Sequence, residues 1–204
     1  SLQQLVYEYD IGVIMMEVSR SLEPEAGFLE SVRKLAIEKN IVLIFDECTS
    51  GFRETFGGQH KKYGVDPDMA VFGKALGNGY AITAVIGRRD IMEAAQSTFI
   101  SSTFWTERIG PAAGLKTLEV MEREKSWEQI TATGKDIGKR WQVLAEKYQL
   151  PIKISGLPAL VGFSIPVDNW LKYKTLITQE MLKKGYLAVN TVYVSIDHTE
   201  QILD

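Results

Sequence analysis

Five apolar residues in a row, Ile41-Val42-Leu43-Ile44-Phe45, are followed at once by Asp46-Glu47, and a second run, Met69-Ala70-Val71-Phe72, by Gly73-Lys74. Uninterrupted apolar runs of this length with β-branched members predict strands buried on both faces, as in a parallel sheet covered by helices. A third run, Ile11 to Met16, precedes Phe28, Leu29, Val32, Leu35 and Ala36, whose three-and-four spacing predicts an amphipathic helix. Strand, helix and strand in about 35 residues make a right-handed βαβ unit and place the chain in the α/β class. Ala81 to Ile86 reads as another short buried strand and Arg88 to Gln96 as helix. Arg108 to Lys147 is helical in pattern, with interruptions near Lys125-Ser126-Trp127 and at Gly134. From Pro151 onward short segments alternate: Ile152–Ile154, Leu160–Ile165, a helix near Trp170–Lys184, then Leu187–Val189 and Val192–Ile196. The expected organisation is part of a large α/β domain over residues 1–110, connecting helices over 111–150, and a small, incomplete α+β domain over 151–204.

Open parallel sheets bind ligands beyond the carboxyl ends of their strands, so Asp46 and Lys74 are expected to face one crevice. A lysine at the end of a buried strand, between Gly73 and Ala75, is open between two readings. It is a surface or paired residue, or an amine made nucleophilic by desolvation and available for a Schiff base. Asp46 is likewise a loop or capping residue, or an acceptor for a cationic ligand group. Glycines at 73, 77 and 79 leave room for a ligand near the backbone. Together, the two residues match what pyridoxal phosphate requires, an acid for its ring nitrogen and a lysine for its aldehyde.

Composition narrows the field. The 204 residues carry 23 basic and 26 acidic side chains, no basic footprint for nucleic acid or an anionic membrane, so small molecules and protein partners are expected. The single cysteine, Cys48, excludes an intrachain disulfide framework and a cysteine-based metal cluster. No window has the apolar length of a membrane span and Ser1-Leu2-Gln3-Gln4 is unlike a signal peptide, so the expected location is the cytoplasm. His60 and His198 are too isolated for a metal and read as surface or capping residues. Arg20, Arg53 and Arg108 are candidates for a substrate carboxylate, and there is no arginine after residue 150.

Asp46-Glu47-Cys48-Thr49-Ser50-Gly51-Phe52-Arg53, Asp66-Pro67-Asp68, Gly73-Lys74-Ala75-Leu76-Gly77-Asn78-Gly79-Tyr80 and Gly87-Arg88-Arg89 together resemble the class III aminotransferases. The branch containing glutamate-1-semialdehyde aminomutase looks nearest. The resemblance implies a fold-type I pyridoxal-phosphate transferase. In it Asp46 pairs with the pyridine nitrogen, Lys74 forms the Schiff base and shuttles protons, and Cys48 packs against a ring face. The bland reading of Cys48 as packing is set against a reactive thiol. Ser101-Ser102-Thr103-Phe104 resembles the family stretch whose threonine holds the cofactor phosphate of a neighbouring subunit, which makes Thr103 the matching residue and implies a homodimer with a shared site. Hydroxyls and free amides before a long helix suit an anion, and ordinary capping by Thr103 or Thr106 is the alternative. The following Trp105-Thr106-Glu107-Arg108 departs from the family pattern, and Glu17, with Val18 in place of the family proline, reads as structural.

The function expected from the resemblance is amino transfer between an amine donor and a carbonyl acceptor through Lys74. Intramolecular amino transfer of the 2,1-aminomutase type would use the same residues. The family's phosphate loop and stacking aromatic, which precede the first strand in its members, have no counterpart here, so the chain resembles the carboxyl-terminal half of a member. A non-catalytic fragment or dimerisation module is therefore the alternative from another class.

Overall fold

The computed structural model describes residues 1–104 and 106–204, which divide into two compact units, Ser1–Lys125 and Ser126–Asp204. The first unit runs α1 (Leu2–Glu8), β1 (Val13–Met16), α2 (Phe28–Glu38), β2 (Val42–Asp46), α3 (His60–Tyr63), β3 (Met69–Phe72), β4 (Ala84–Gly87), α4 (Arg89–Met92) and α5 (Ile109–Glu124). Its sheet has the order β1-β2-β3-β4, with β1, β2 and β3 parallel and β4 antiparallel to β3. The βαβ unit read from the hydrophobic pattern is therefore present. Helix α1 carries no apolar periodicity that announces it and is held at its start by a capping box between Ser1 and Gln4.

Burial is one-sided. Leu43 and Phe45 are fully buried and alternate with half-buried Val42, Ile44 and Asp46. Leu29, Val32, Leu35 and Ala36 of α2 join Val6 of α1 on the Leu43 and Phe45 face, forming one core with Ile14, Ile41 and Val65. The opposite face stays open enough that Val13 is 52% and Met15 57% exposed. The expectation of strands buried on both faces is thus corrected: the helices that contribute to this core pack on one side of the sheet, and period-2 alternation turns that into a buried and an open face. Ala81 to Ile86 is corrected similarly. Only Ala84–Gly87 is strand, it is antiparallel at the sheet edge, and Val85 and Ile86 are exposed.

The break expected at Lys125 is present, where a left-handed residue (φ 50°) ends α5. The second unit opens with α6 (Ser126–Lys147), followed by the hairpin β5 (Lys153–Ser155) and β6 (Gly162–Ser164), then α7 (Trp170–Lys183) and α8 (Glu200–Leu203). Gly134 does not interrupt α6. A Cβ there would lie 1.8 Å from the Pro158 carbonyl oxygen, so the glycine allows the helix to approach the 3-10 turn Pro158–Leu160 rather than breaking it. Ile130 and Ile137 of α6 pack with Ala159, Val161 and Val194. Trp141 meets the Phe163 ring edge-on at 4.8 Å. The expected strands 187–189 and 192–196 are replaced by irregular chain whose Val192 and Val194 amides donate to the Val161 and Ala159 carbonyls at 2.9 and 3.0 Å. The segment thus gains sheet-like bonds without becoming a strand.

Candidate active site

Asp46 ends β2 and Glu47 follows it, and the two point to opposite sides of the sheet. Asp46 lies half-buried on the open face, while Glu47 turns inward and is fully buried. The Asp46 carboxylate accepts a hydrogen bond from the Cys48 amide at 3.0 Å, which fixes its orientation at the carboxyl end of the strand. The register pairs Asp46 with Val71 of β3, and three residues further on the chain reaches Lys74. Lys74 has a left-handed backbone (φ 46°) at the start of a 3-10 turn, a strained conformation for a residue with a side chain. Its Nζ donates to Thr49 Oγ1 at 2.7 Å. Lys74 is exposed in this chain, whereas Gly73 before it is buried.

Cys48 lies between the acid and the amine. Burial, a hydrogen bond with Asp46 and the Asp46 charge push its thiol up, against the opposing effect of the Lys74 charge. A thiol held neutral is a packing group, which favours the bland reading of Cys48. A Cβ at Gly73 would sit 3.4 Å from its Sγ. Asp46, Cys48, Thr49, Gly73 and Lys74 are therefore gathered at the carboxyl ends of two neighbouring parallel strands. Of these, Thr49 was not singled out from the sequence; its only signal was adjacency to Cys48 in the loop after Asp46.

Behind this group stands a buried polar cluster. Glu47 accepts hydrogen bonds from the His60 amide at 3.0 Å, from His60 Nδ1 at 2.9 Å and from the Ser50 hydroxyl. Burial pushes the Glu47 carboxyl up, but the His60 and Ser50 bonds outweigh it and hold the group below the usual carboxylate range. Since Glu47 is the acceptor, Nδ1 of His60 carries the proton. His60 is 8% exposed, which corrects its reading as a surface residue: its ring closes the loop 47–60 onto the carboxylate. His198 remains a turn residue, its Nδ1 taking the Ser195 amide at 3.1 Å.

Thr103 lies on an exposed turn, and none of the described hydrogen bonds joins it to Asp46 or Lys74. The amides at the start of α5 are not left for an anion. Ile109 and Gly110 donate to the Glu107 carboxylate at 2.7 and 3.3 Å, so capping falls to Glu107 rather than to Thr103 or Thr106. Trp105 lies outside the described residues. Of the candidate carboxylate-binding arginines, Arg20 pairs with Glu17 at 3.6 Å, Arg53 Nε donates to the Thr49 carbonyl at 3.4 Å and Arg108 is the exposed N-cap residue of α5. Among the described residues no group of three His, Cys, Asp or Glu is placed to hold a metal, and no helix is long and apolar enough to cross a membrane.

The family model described as aminotransferase class-III matches residues 20–196. A 3-aminobutyryl-CoA aminotransferase of Cloacimonas acidaminovorans (strain Evry) is 39% identical over 157 residues, covering 76% of this chain and 38% of that protein. The PLP internal aldimine form of the Sphingopyxis sp. MTA144 FumI protein superposes with a TM-score of 0.90 at 20% identity, over 99% of this chain and 51% of its own. The acetylornithine aminotransferase of Elizabethkingia anophelis does so with a TM-score of 0.84 at 24% identity, over 99% and 56%. The fold is thus that of the solved aminotransferases, and the chain spans 38% of the curated relative and about half of the solved ones. With its strand-end acid and lysine, a matching fold and a family model that covers most of its length, this chain belongs to the class III aminotransferase family.

Proposed function

We propose that the protein carrying this chain is a pyridoxal-phosphate-dependent aminotransferase that moves an amino group between an amine donor and a carbonyl acceptor. The observation that carries the reading is the convergence of Asp46 and Lys74 at the carboxyl ends of adjacent parallel strands. The residues fit the cofactor. An oriented carboxylate is available for the pyridine nitrogen and a lysine amine for the aldehyde, and the small Cys48 and Gly73 bound the space beside them. When bound, pyridoxal phosphate supplies the electron sink that makes the carbon–hydrogen bond of an amine acidic. Asp46 would keep the ring nitrogen protonated, and Cys48 would pack against the ring. Lys74 Nζ would hold the aldehyde and, once released, take the proton from the substrate carbon and return it to the other side of the transfer.

Thr103 is assigned to the phosphate of a neighbouring subunit, which makes the working form a homodimer. Phe99 and Phe104, which flank Thr103 and are 95% and 76% exposed, give this turn the apolar surface that a second copy would cover.

Charge in the second unit supports a substrate class. In the second unit Arg140 is the single arginine, and Asp136, Glu200 and Asp204 already bind it. A thioester-masked amino acid, of the kind in the relative's name, presents no free carboxylate and needs no such arginine.

The test is reconstitution of the full-length protein with pyridoxal phosphate. A visible absorbance band that disappears on borohydride reduction, with the cofactor mass added at Lys74, is expected, and Lys74→Ala abolishes both. Absence of the band in wild type overturns the reading. A donor comparison of 3-aminobutyryl thioester with 3-aminobutyrate is expected to favour the thioester at least about ten-fold in kcat/KM, the discrimination that about 1.4 kcal/mol provides. Preference for the free acid would remove the substrate assignment alone.

A further inference from the structure

Lys74 has a long, exposed side chain, and a free lysine side chain loses rotamer entropy when held in one conformation. Precise chemistry at Nζ therefore needs a second anchor besides the backbone. The structure contains one: Nζ donates to Thr49 Oγ1 at 2.7 Å, across 25 residues of sequence. Thr49 is itself held by the loop that Glu47 organises. The Gly51 amide donates to the Glu47 carbonyl at 2.8 Å, the Ser50 hydroxyl to the Glu47 carboxylate, and the Arg53 guanidinium to the Thr49 carbonyl at 3.4 Å. Glu47, fully buried and fastened to His60, gives the loop a fixed base. We propose that Thr49 is a positioning residue for Lys74, its hydroxyl holding the amine over the carboxyl ends of β2 and β3, with the Glu47–His60–Ser50 cluster as its support.

This rests on the reading of Lys74 as the reacting amine, but its primary test does not need the cofactor. In the full chain with cofactor removed, competitive acetylation by acetic anhydride is followed by peptide mass spectrometry, with Lys74 scored against Lys153 as an exposed internal reference. The Thr49 bond ties Nζ to the loop and limits its approach to the reagent, so Thr49→Val is expected to raise relative Lys74 acetylation about five-fold, the factor that one modest hydrogen bond corresponds to. Thr49→Ser, which keeps the hydroxyl, is expected to restore the wild-type ratio. In the reconstituted protein the valine variant is expected to lose kcat about ten-fold with little change in KM, because the amine is misplaced rather than the substrate. A lysine acetylated within two-fold of wild type in Thr49→Val, or a serine variant that behaves like valine, overturns the proposal. Unchanged circular dichroism of both variants excludes unfolding as the cause. If acetylation responds as expected but no cofactor band forms in wild type, the aminotransferase reading fails and the Thr49 assignment stands.

Discussion

Asp68 shows how much of this molecule rests on single residues. Its Oδ2 accepts from Arg33 at 2.7 Å and from the Leu43 amide at 2.8 Å; its Oδ1 accepts from Arg33 at 3.0 Å and from Arg88 at 2.9 Å. One carboxylate, 3% exposed, thereby joins α2, β2, β3 and the end of β4. Burial pushes its carboxyl up, but Arg33, the Leu43 amide and Arg88 outweigh this and bring it from 3.8 to about 2. Because the folded value is depressed, its contribution to stability is complete above pH 3.8 and is lost as pH falls toward 2; the shift corresponds to about 2 kcal/mol. Asp68→Asn leaves two arginines facing a neutral group, and a loss of about 3 kcal/mol is expected at pH 7. Urea midpoints measured from pH 7 down to 2 should show the gap between wild type and variant closing below pH 4. From the sequence Asp68 is one of three residues in a strand-leading turn, since its partners lie 35, 25 and 20 residues away. Asp46 and Lys74 were legible because each directly follows an apolar run. Glu47 and His60 were not, because their meaning lies in a contact across a loop.

At the scale of elements, helix α6 carries two glycines with opposite consequences. Replacing glycine by alanine inside a helix gains up to about 1 kcal/mol in propensity. At Gly138 a Cβ would meet Ile154 and Val161 methyls at 3.6 Å, ordinary contact, so Gly138→Ala is expected to raise the melting temperature. At Gly134 the Cβ would lie 1.8 Å from a backbone carbonyl oxygen that must move, and overpacking of that kind costs about 1–3 kcal/mol or more. Gly134→Ala is therefore expected to lower it; differential scanning calorimetry separates the two signs. Helix α5 depends on a single residue at its start. Glu107→Ala frees the Ile109 and Gly110 amides and removes a negative charge from the helix N-terminus, with an expected cost of about 1 kcal/mol in chemical denaturation. A glycine in a helical pattern reads as a breaker until packing shows otherwise; that expectation failed at Gly134 because local propensity is weaker than the contact that overrode it, and at the start of α5 the Glu107 carboxylate takes the amides that the alternative of threonine capping would have used.

For the molecule as a whole, the two units have separate cores, one built on Leu29, Leu43 and Phe45, the other on Ile130, Ile137 and Val161. Units with their own cores open as separate cooperative blocks. Hydrogen exchange of Gly134→Ala is expected to lose protection over residues 126–204 while residues 1–125 keep theirs, and Asp68→Asn to do the reverse. Uniform loss across both would show one cooperative block instead. The amino-acid sequence by itself determined the α/β class, the βαβ unit, the strand-end acid and amine and the class III resemblance, because hydrophobic periodicity and residues adjacent to it are local properties of the chain. Tertiary structure decided which sheet face is buried, that β4 runs antiparallel, that Glu107 caps α5, that Asp68 and Glu47 are buried hubs, and that Thr49 holds Lys74. Each of these depends on groups distant in sequence meeting at hydrogen-bond distance, and the free energy of such a meeting is set by burial and geometry that no local pattern contains.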